Sequence, residues 1–188
     1  KSRGRFTMVK FAQLKALAKN TVGRSDEFLL KQMEITIDIE NQLDAKIDEI
    51  EVQISECVRG LNPPMLTIPG IGELTAAVIL SEYGNISKFE GPAQMLSFAG
   101  LEPGYYQSGQ AEHGGHMVKH GSSHLRCALM NACLPLITYE PVFAEYYAKK
   151  RAEGKPHRVA LTHVAKKLLR VIYTLQTKNI PYDPNLIR

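Results

Sequence analysis

From residue 26 to residue 59 the chain contains neither glycine nor proline. Apolar residues recur through this stretch at Leu29, Met33, Ile37, Leu43, Ile47, Ile50, Ile54 and Val58. Steps of three and four sustained over about four heptads specify an amphipathic helix that needs another helix, as a coiled coil or a long helical hairpin. At 1.5 Å per residue such a helix is about 50 Å long, more than a small domain can cover. The simplest partner is the same helix of a second copy, although Glu40 at a seam position weakens such a dimer. The alternative is packing against the protein's own other helices. Ser25 is the expected N-cap, with Asp26 and Glu27 in the first turn. Before it, residues 6–18 read as a short amphipathic helix with Phe11, Leu14, Leu17 and Ala18 on one face.

Gly60-Leu61-Asn62-Pro63-Pro64 ends the long helix and marks a domain boundary. We read residues 1–60 as a helical, coiled-coil arm, 61–180 as a compact helical domain and 181–188 as an extended tail. Asn62 is a candidate cap for a short helix with proline at its first positions. In the compact domain helices are expected at about 73–82, from Pro92 to Gly100, after Ser122 or Ser123, from Pro141 to Gly154, and over 158–176. Pro135 should kink the third of these. Leu125, Leu129, Ala132, Cys133, Leu136 and Ile137 form one expected core face. Val164, Leu168, Val171, Ile172 and Leu175 form another. The fold class is therefore all-α, mainly, with room for a small β-hairpin pairing 105–108 with 116–119.

Charge is segregated along the chain. Residues 1–24 carry seven Lys/Arg and no acid, residues 25–58 carry two against ten Asp/Glu, and residues 59–188 carry fourteen against nine. Basic ends suit a nucleic-acid partner and the acidic middle a protein partner, while solvated faces are the plainer reading. No apolar run is long enough to span a membrane. The opening KSRGRF lacks an initiator methionine and is followed by no apolar run of signal-peptide type, so a piece of a longer cytoplasmic protein is expected. The three cysteines, Cys57, Cys127 and Cys133, form no CxxC and are expected as reduced, buried thiols.

Two segments carry possible chemistry. In Pro69-Gly70-Ile71-Gly72-Glu73 two glycines bracket an apolar residue just before a helix. The pattern resembles a helix-hairpin-helix, in which Gly70, Ile71 and Gly72 bring backbone N–H groups to a nucleic-acid phosphate without reading sequence, although such a turn before a helix also occurs as a plain connection. The second segment is the Gly/Ser-rich stretch 100–126, GLEPGYYQSGQAEHGGHMVKHGSSHLR. Ser108 in Gln-Ser-Gly is either a turn residue or a nucleophile toward phosphorus. Lys119, His120 and Arg126 downstream are basic groups able to hold a phosphate. The acids here (Glu73, Glu82, Glu90, Glu102, Glu112) are scattered singly, so no metal cluster for phosphoryl transfer is evident. His113, His116, His120 and His124 stand at spacings of 3, 4 and 4, but Gly114, Gly115 and Gly121 interrupt any helix that would align them as zinc ligands. No metal site is assigned. Arg158, Lys166 and Arg170, with Thr162 between them, make a basic stripe suited to a phosphate backbone.

Four segments, LTIPGIGELTAAVILSEYGNISKF, AQMLSFAGLEPGYYQSG, GHMVKHGSSHLRCALMNA and GKPHRVALTHVAKKLLRVIY, resemble the C-terminal transposase domain of the insertion-sequence family numbered one hundred and ten, which includes the Piv DNA invertase. The resemblance implies a RuvC-like domain with an acidic tetrad upstream, then a coiled coil, then this domain. It implies that Ser108 is the nucleophile, forming a phosphoserine link to DNA, with Mg²⁺ held by the upstream domain and none by these residues. Lys119 and Arg126 fall on the family's basic positions. Partners implied are DNA, a guide (bridge) RNA and a second copy through the coiled coil, in the bacterial cytoplasm at the nucleoid. The competing reading is a non-catalytic DNA-binding or dimerisation module.

Overall fold

The computed structural model describes residues 7–21, 23, 26–108, 111–117 and 120–186, with the backbone alone for 103–108, 111–117 and 186. The chain divides into two compact units, Lys1–Asp48 and Glu49–Arg188.

In the first unit, α1 spans Met8–Lys19, capped by Thr7, whose hydroxyl accepts from the Lys10 amide at 3.4 Å. It buries no residue. Helix α2, Glu27–Leu61, runs 35 residues without a break. Its cap is Asp26, which accepts from the Phe28 amide at 2.9 Å. Ser25, expected in that role, lies outside the described residues. Leu29, Met33, Ile37, Leu43 and Ile47 are each more than half exposed (51–60 %). The long helix therefore forms as its periodicity dictates, with its apolar stripe uncovered in a single chain.

The second unit begins inside α2. Val58 is buried and Ile54 packs on the core around it. That burial places the division near residue 48, earlier than the Gly60–Pro64 break marked by composition. Asn62 does not cap the following helix. It adopts φ 42° and its amide bonds the Val58 carbonyl at 2.9 Å, closing α2. Pro63 then precedes a single 3₁₀ turn, Pro64–Thr67.

Helices α3 (Glu73–Tyr83), α4 (Pro92–Phe98), α5 (Ser123–Tyr139), α6 (Pro141–Ala152) and α7 (His157–Lys178) follow. The starts reflect local chemistry. Pro92 and Pro141 occupy first-turn positions where a missing N–H costs nothing. Ser122 caps α5, its Oγ accepting from the Leu125 amide at 2.9 Å. Helix α7 lies at the centre, packed by α4, α5 and α6. The expected face, Val164, Leu168, Val171, Ile172 and Leu175, is buried, joined by Ala160, Leu161, Ala165 and Leu169. From α5 come Leu125, Leu129, Ala132, Cys133 and Leu136, with Ile137 half-buried. Only Cys133 of the three cysteines is buried; Cys57 and Cys127 are exposed, because their helical positions fall outside the core stripe. Burial pushes the Cys133 thiol up to about 12. The tail is not wholly extended: Pro184–Leu186 forms a 3₁₀ turn.

Among the described residues the fold is all-α apart from one hairpin between α4 and α5, strands β1 (Pro103–Ser108) and β2 (Ala111–Met117). Its root depends on two glycines. Gly100 has φ 63° and Gly121 φ 129°. A Cβ at Gly121 would stand 2.3 Å from the Phe98 carbonyl oxygen. Gly121→Ala should therefore destabilise the fold by about 2 kcal/mol or more. Gly60→Ala, inside α2 with open space around it, should stabilise by up to about 1 kcal/mol. Urea unfolding of the two variants beside the wild type checks both.

Candidate nucleic-acid interface

The hairpin carrying Ser108 is anchored where α4 ends and α5 begins. The Leu101 amide bonds the Leu96 carbonyl at 3.0 Å, and Leu101 is fully buried. From the other side the Ser122 amide donates to the Phe98 carbonyl at 2.9 Å. Ser122 Oγ donates to Glu82 Oε2 at 2.5 Å while accepting from Leu125. Arg126 Nη1 donates to the Ala99 carbonyl at 3.1 Å. The last carbonyls of α4, which have no partner within the helix, are thus met by the start of α5.

Ser108 is the last residue of β1 and pairs with Ala111. The connecting Gly109 and Gln110 lie outside the described residues, as does Lys119. The observed pairing corrects the expected one. Residues 105–108 pair with 111–114, not with 116–119. A two-residue connection lets the strands pair up to the turn, and Gly114 and Gly115 enter β2 instead of forming a wide loop. The register shifts between Pro103 and Tyr105, opposite Gly115 and His116, where a glycine suits an irregular backbone. His113 pairs with Tyr106. His120 is exposed, and so is His124 in the first turn of α5. Among the described residues no three His, Cys, Asp or Glu are placed to hold a metal ion.

The glycine turn before α3 divides its three residues between different tasks. Gly70 has φ 91°, and a Cβ there would lie 3.1 Å from Pro135 Cγ of α5, so it serves close packing. Ile71 is buried and its amide is taken by the Ile68 carbonyl at 3.1 Å, so it belongs to the core. Gly72 is exposed with open space where a Cβ would be. It is the N-cap of α3 and brings no side-chain cap, leaving first-turn N–H groups of that helix without one. Glu73 beside them is paired with Arg59, whose Nη2 stands 3.0 Å from Glu73 Oε2 and whose Nε bonds Oε1. That guanidinium holds the Glu73 carboxyl below the usual carboxylate range.

Basic residues near α7 are not confined to Arg158, Lys166 and Arg170. The end of α6 adds Lys149, Lys150 and Arg151, and Lys155 follows. Residues 149–170 hold eight Lys/Arg against one acid, Glu153. Glu153 takes Lys150 at 2.8 Å and Lys155 at 3.1 Å. Arg158 and Arg170 are exposed and Lys166 half-buried. Burial, with Arg170 nearby, pulls Lys166 below the ordinary lysine value, and Glu102 pulls it back up. Glu102 immediately precedes β1, so the stripe passes near the root of the serine hairpin. Lys167 lies over the rings of Phe143 (5.3 Å) and Tyr146 (5.1 Å). Sequence reading missed the α6 contribution, although the run Lys149-Lys150-Arg151 ahead of Arg158 was visible.

Residues 63–148 match the family model described as Transposase IS116/IS110/IS902 family. These residues form a transposase domain of that family. The 43.6 kDa protein of insertion element IS110 from Streptomyces coelicolor is 30% identical over 139 residues, 73% of this chain and 34% of that protein. The pilin gene-inverting protein of Moraxella bovis is also 30% identical over 139 residues, 71% of this chain and 43% of its own length. The transposase for insertion sequence element IS1111A of Coxiella burnetii is 28% identical over 119 residues, 62% of this chain and 33% of that protein. The chain thus spans less than half the length of these relatives. Its transposase domain holds the glycine turn, the serine hairpin and Arg126. The basic end of α6 and all of α7 lie beyond the residues that the family model matches.

His163 offers a test of the basic cluster. Burial lowers its pKa first, and Lys166, Lys150 and Lys155 add to this, with Glu153 opposing. The unfolded chain therefore binds a proton at His163 before the folded one does, and its contribution to stability is lost as pH falls below about 6.5. The urea midpoint of the wild type should drop between neutral and mildly acidic pH by more than that of His163→Gln.

Proposed function

We propose that this chain is the nucleic-acid-binding, serine-bearing part of a DNA transposase of the IS116/IS110/IS902 family. The observation that carries this reading is the hairpin ending at Ser108, anchored by Ser122, Glu82 and Arg126 with the α7 basic stripe near its root. Ser108 Oγ attacks the phosphorus of a DNA strand. The bond from phosphorus to one sugar oxygen breaks, that oxygen leaves as a hydroxyl in exchange for the proton the serine gives up, and the phosphoserine diester keeps the strand end activated for rejoining. Lys119 and Arg126 neutralise the phosphate charge, Arg126 using guanidinium nitrogens not engaged by Ala99. Arg158, Lys166 and Arg170 track the backbone, joined by Lys149, Lys150 and Arg151, and the exposed His120 supplies a further contact. At the glycine turn Gly72 presents backbone to phosphate, with Gly70 and Ile71 holding the turn in place.

The Mg²⁺ implied by the family resemblance finds no ligand cluster among the described residues. Its ligands are proposed to belong to an acidic domain outside this chain. A guide RNA is proposed as a second ligand of the basic face, and a second copy as the partner of the α2 stripe. Among the described residues no single helix is long and apolar enough to cross a membrane. The compartment this function implies is the bacterial cytoplasm, at the nucleoid.

Ser108→Ala in the full-length protein should reduce strand transfer by at least about 10³-fold while leaving DNA affinity unchanged. Retained strand transfer would leave the non-catalytic binding and dimerisation module as the better reading. Independently, the double variant Lys166→Gln/Arg170→Gln should weaken DNA binding uniformly across sequences. It should also reduce the slope of log affinity against log salt by about 1.5. Fluorescence anisotropy titrations at several salt concentrations measure this.

A further inference from the structure

A cavity of about 250 Å³ lies between the last turns of α7 and the segment that follows it. We propose that it receives one unpaired nucleobase of a nucleic-acid strand, with the adjoining phosphate held by Arg170 and Lys167. The proposal rests on the nucleic-acid reading above and adds a subsite to it.

Three properties of the lining point to a nucleotide. Val171, Leu175, Ile180 and Pro181 supply apolar surface for a flat ring. Lys167 and Arg170 supply two cations at the same cavity. Asp183 adds a carboxylate. Two cations and one carboxylate at the same apolar wall suit a ligand that carries both an anion and hydrogen-bond donors, which neither a bare anion nor a purely apolar ligand does. A nucleotide has an apolar ring face, exocyclic amino groups that donate, and an anionic phosphate, and so uses all three. The volume is below that of drug-sized sites, roughly 300–1,000 Å³, and suits a single base.

The cavity is preformed. Asn179 adopts the left-handed conformation (φ 51°, ψ 47°) and turns the chain at the end of α7. The Ile180 amide bonds the Leu175 carbonyl at 3.2 Å, and the Tyr182 amide bonds Thr67 Oγ1 at 2.7 Å. Asp183 is held by Asn185, whose amide and Nδ2 both reach Oδ1, at 2.9 and 3.0 Å. Among the described residues this leaves Oδ2 able to accept from a base amino group. Arg170 belongs both to this lining and to the row Arg158, Lys166 and Arg170, whose spacings of eight and four keep them on one helix face. A strand following that row reaches the cavity, where aliphatic surface packs against the face of an unpaired base beside cations that hold its phosphate.

The test uses Thr174, which lines the cavity and is otherwise exposed. Thr174→Trp fills the space, Thr174→Leu fills less of it, and Thr174→Ala leaves it open. Anisotropy titrations of the 188-residue chain use short single-stranded DNA, single-stranded RNA and duplex DNA. Thr174→Trp should lower single-strand affinity about tenfold and leave duplex affinity and thermal melting unchanged, with Thr174→Ala like the wild type. The DNA and RNA arms show which strand is preferred. If Thr174→Trp fails to fold, Thr174→Leu carries the comparison in the same direction. Wild-type single-strand affinity in the filled variant overturns the subsite. Wild-type binding to duplex alone overturns it too and leaves the broader reading standing, whereas binding to neither overturns both.

Discussion

The burial of α7 is the constraint on which the second unit depends. Nine of its residues are buried, and α4, α5 and α6 each find their apolar partner there. At roughly 25 cal/mol per Å² of apolar surface removed from water, such a shared stripe dominates the stability of a unit this size. It also fixes what faces outward. With Val164, Leu168, Ile172 and Leu175 turned inward, helical geometry leaves Arg158, Arg170 and, in part, Lys166 at the surface. The basic face is thus the complement of the core face of the same helix.

The serine hairpin is positioned by a different device. A two-stranded hairpin is marginal by itself in water, so its placement comes from its root. Gly100 and Gly121 permit the backbone to double back, and Ser122 ties the α5 start to both Phe98 and Glu82. Arg126 contributes a carbonyl contact at Ala99 from the same first turn. One short segment therefore caps a helix, closes a second and aims the hairpin. Substitutions there act on geometry as well as on charge, and the Gly121 steric test and the Ser108 chemical test address separate parts of it.

The first unit presents the opposite situation. Helix α2 has a well-defined apolar stripe and an acidic remainder, and in the single chain its stripe is exposed. Local propensity and capping by Asp26 define the helix, while its burial requires a partner helix. Near its end the same helix joins the second unit through Ile54 and Val58. Continuity of the helix hid that division from composition, which marks only Gly60 and the prolines after it.

The helices, the cap at Ser122, the first-turn Pro141, the α7 core face and the family of the domain were legible in the sequence, because each rests on local periodicity or on short residue patterns. The tertiary structure decided what local pattern does not encode. Ile71 became core and Gly70 a packing contact with Pro135, because α5 lies against that turn. The hairpin took a two-residue connection, because extended pairing satisfies more backbone groups than the wide loop implied by Gly114 and Gly115. The basic face grew to include the end of α6, and a cavity formed where the chain turns at Asn179 after α7, because both depend on how successive elements pack and not on the pattern within either one. Residue identity determined which groups exist; packing around α7 determined which of them share a surface.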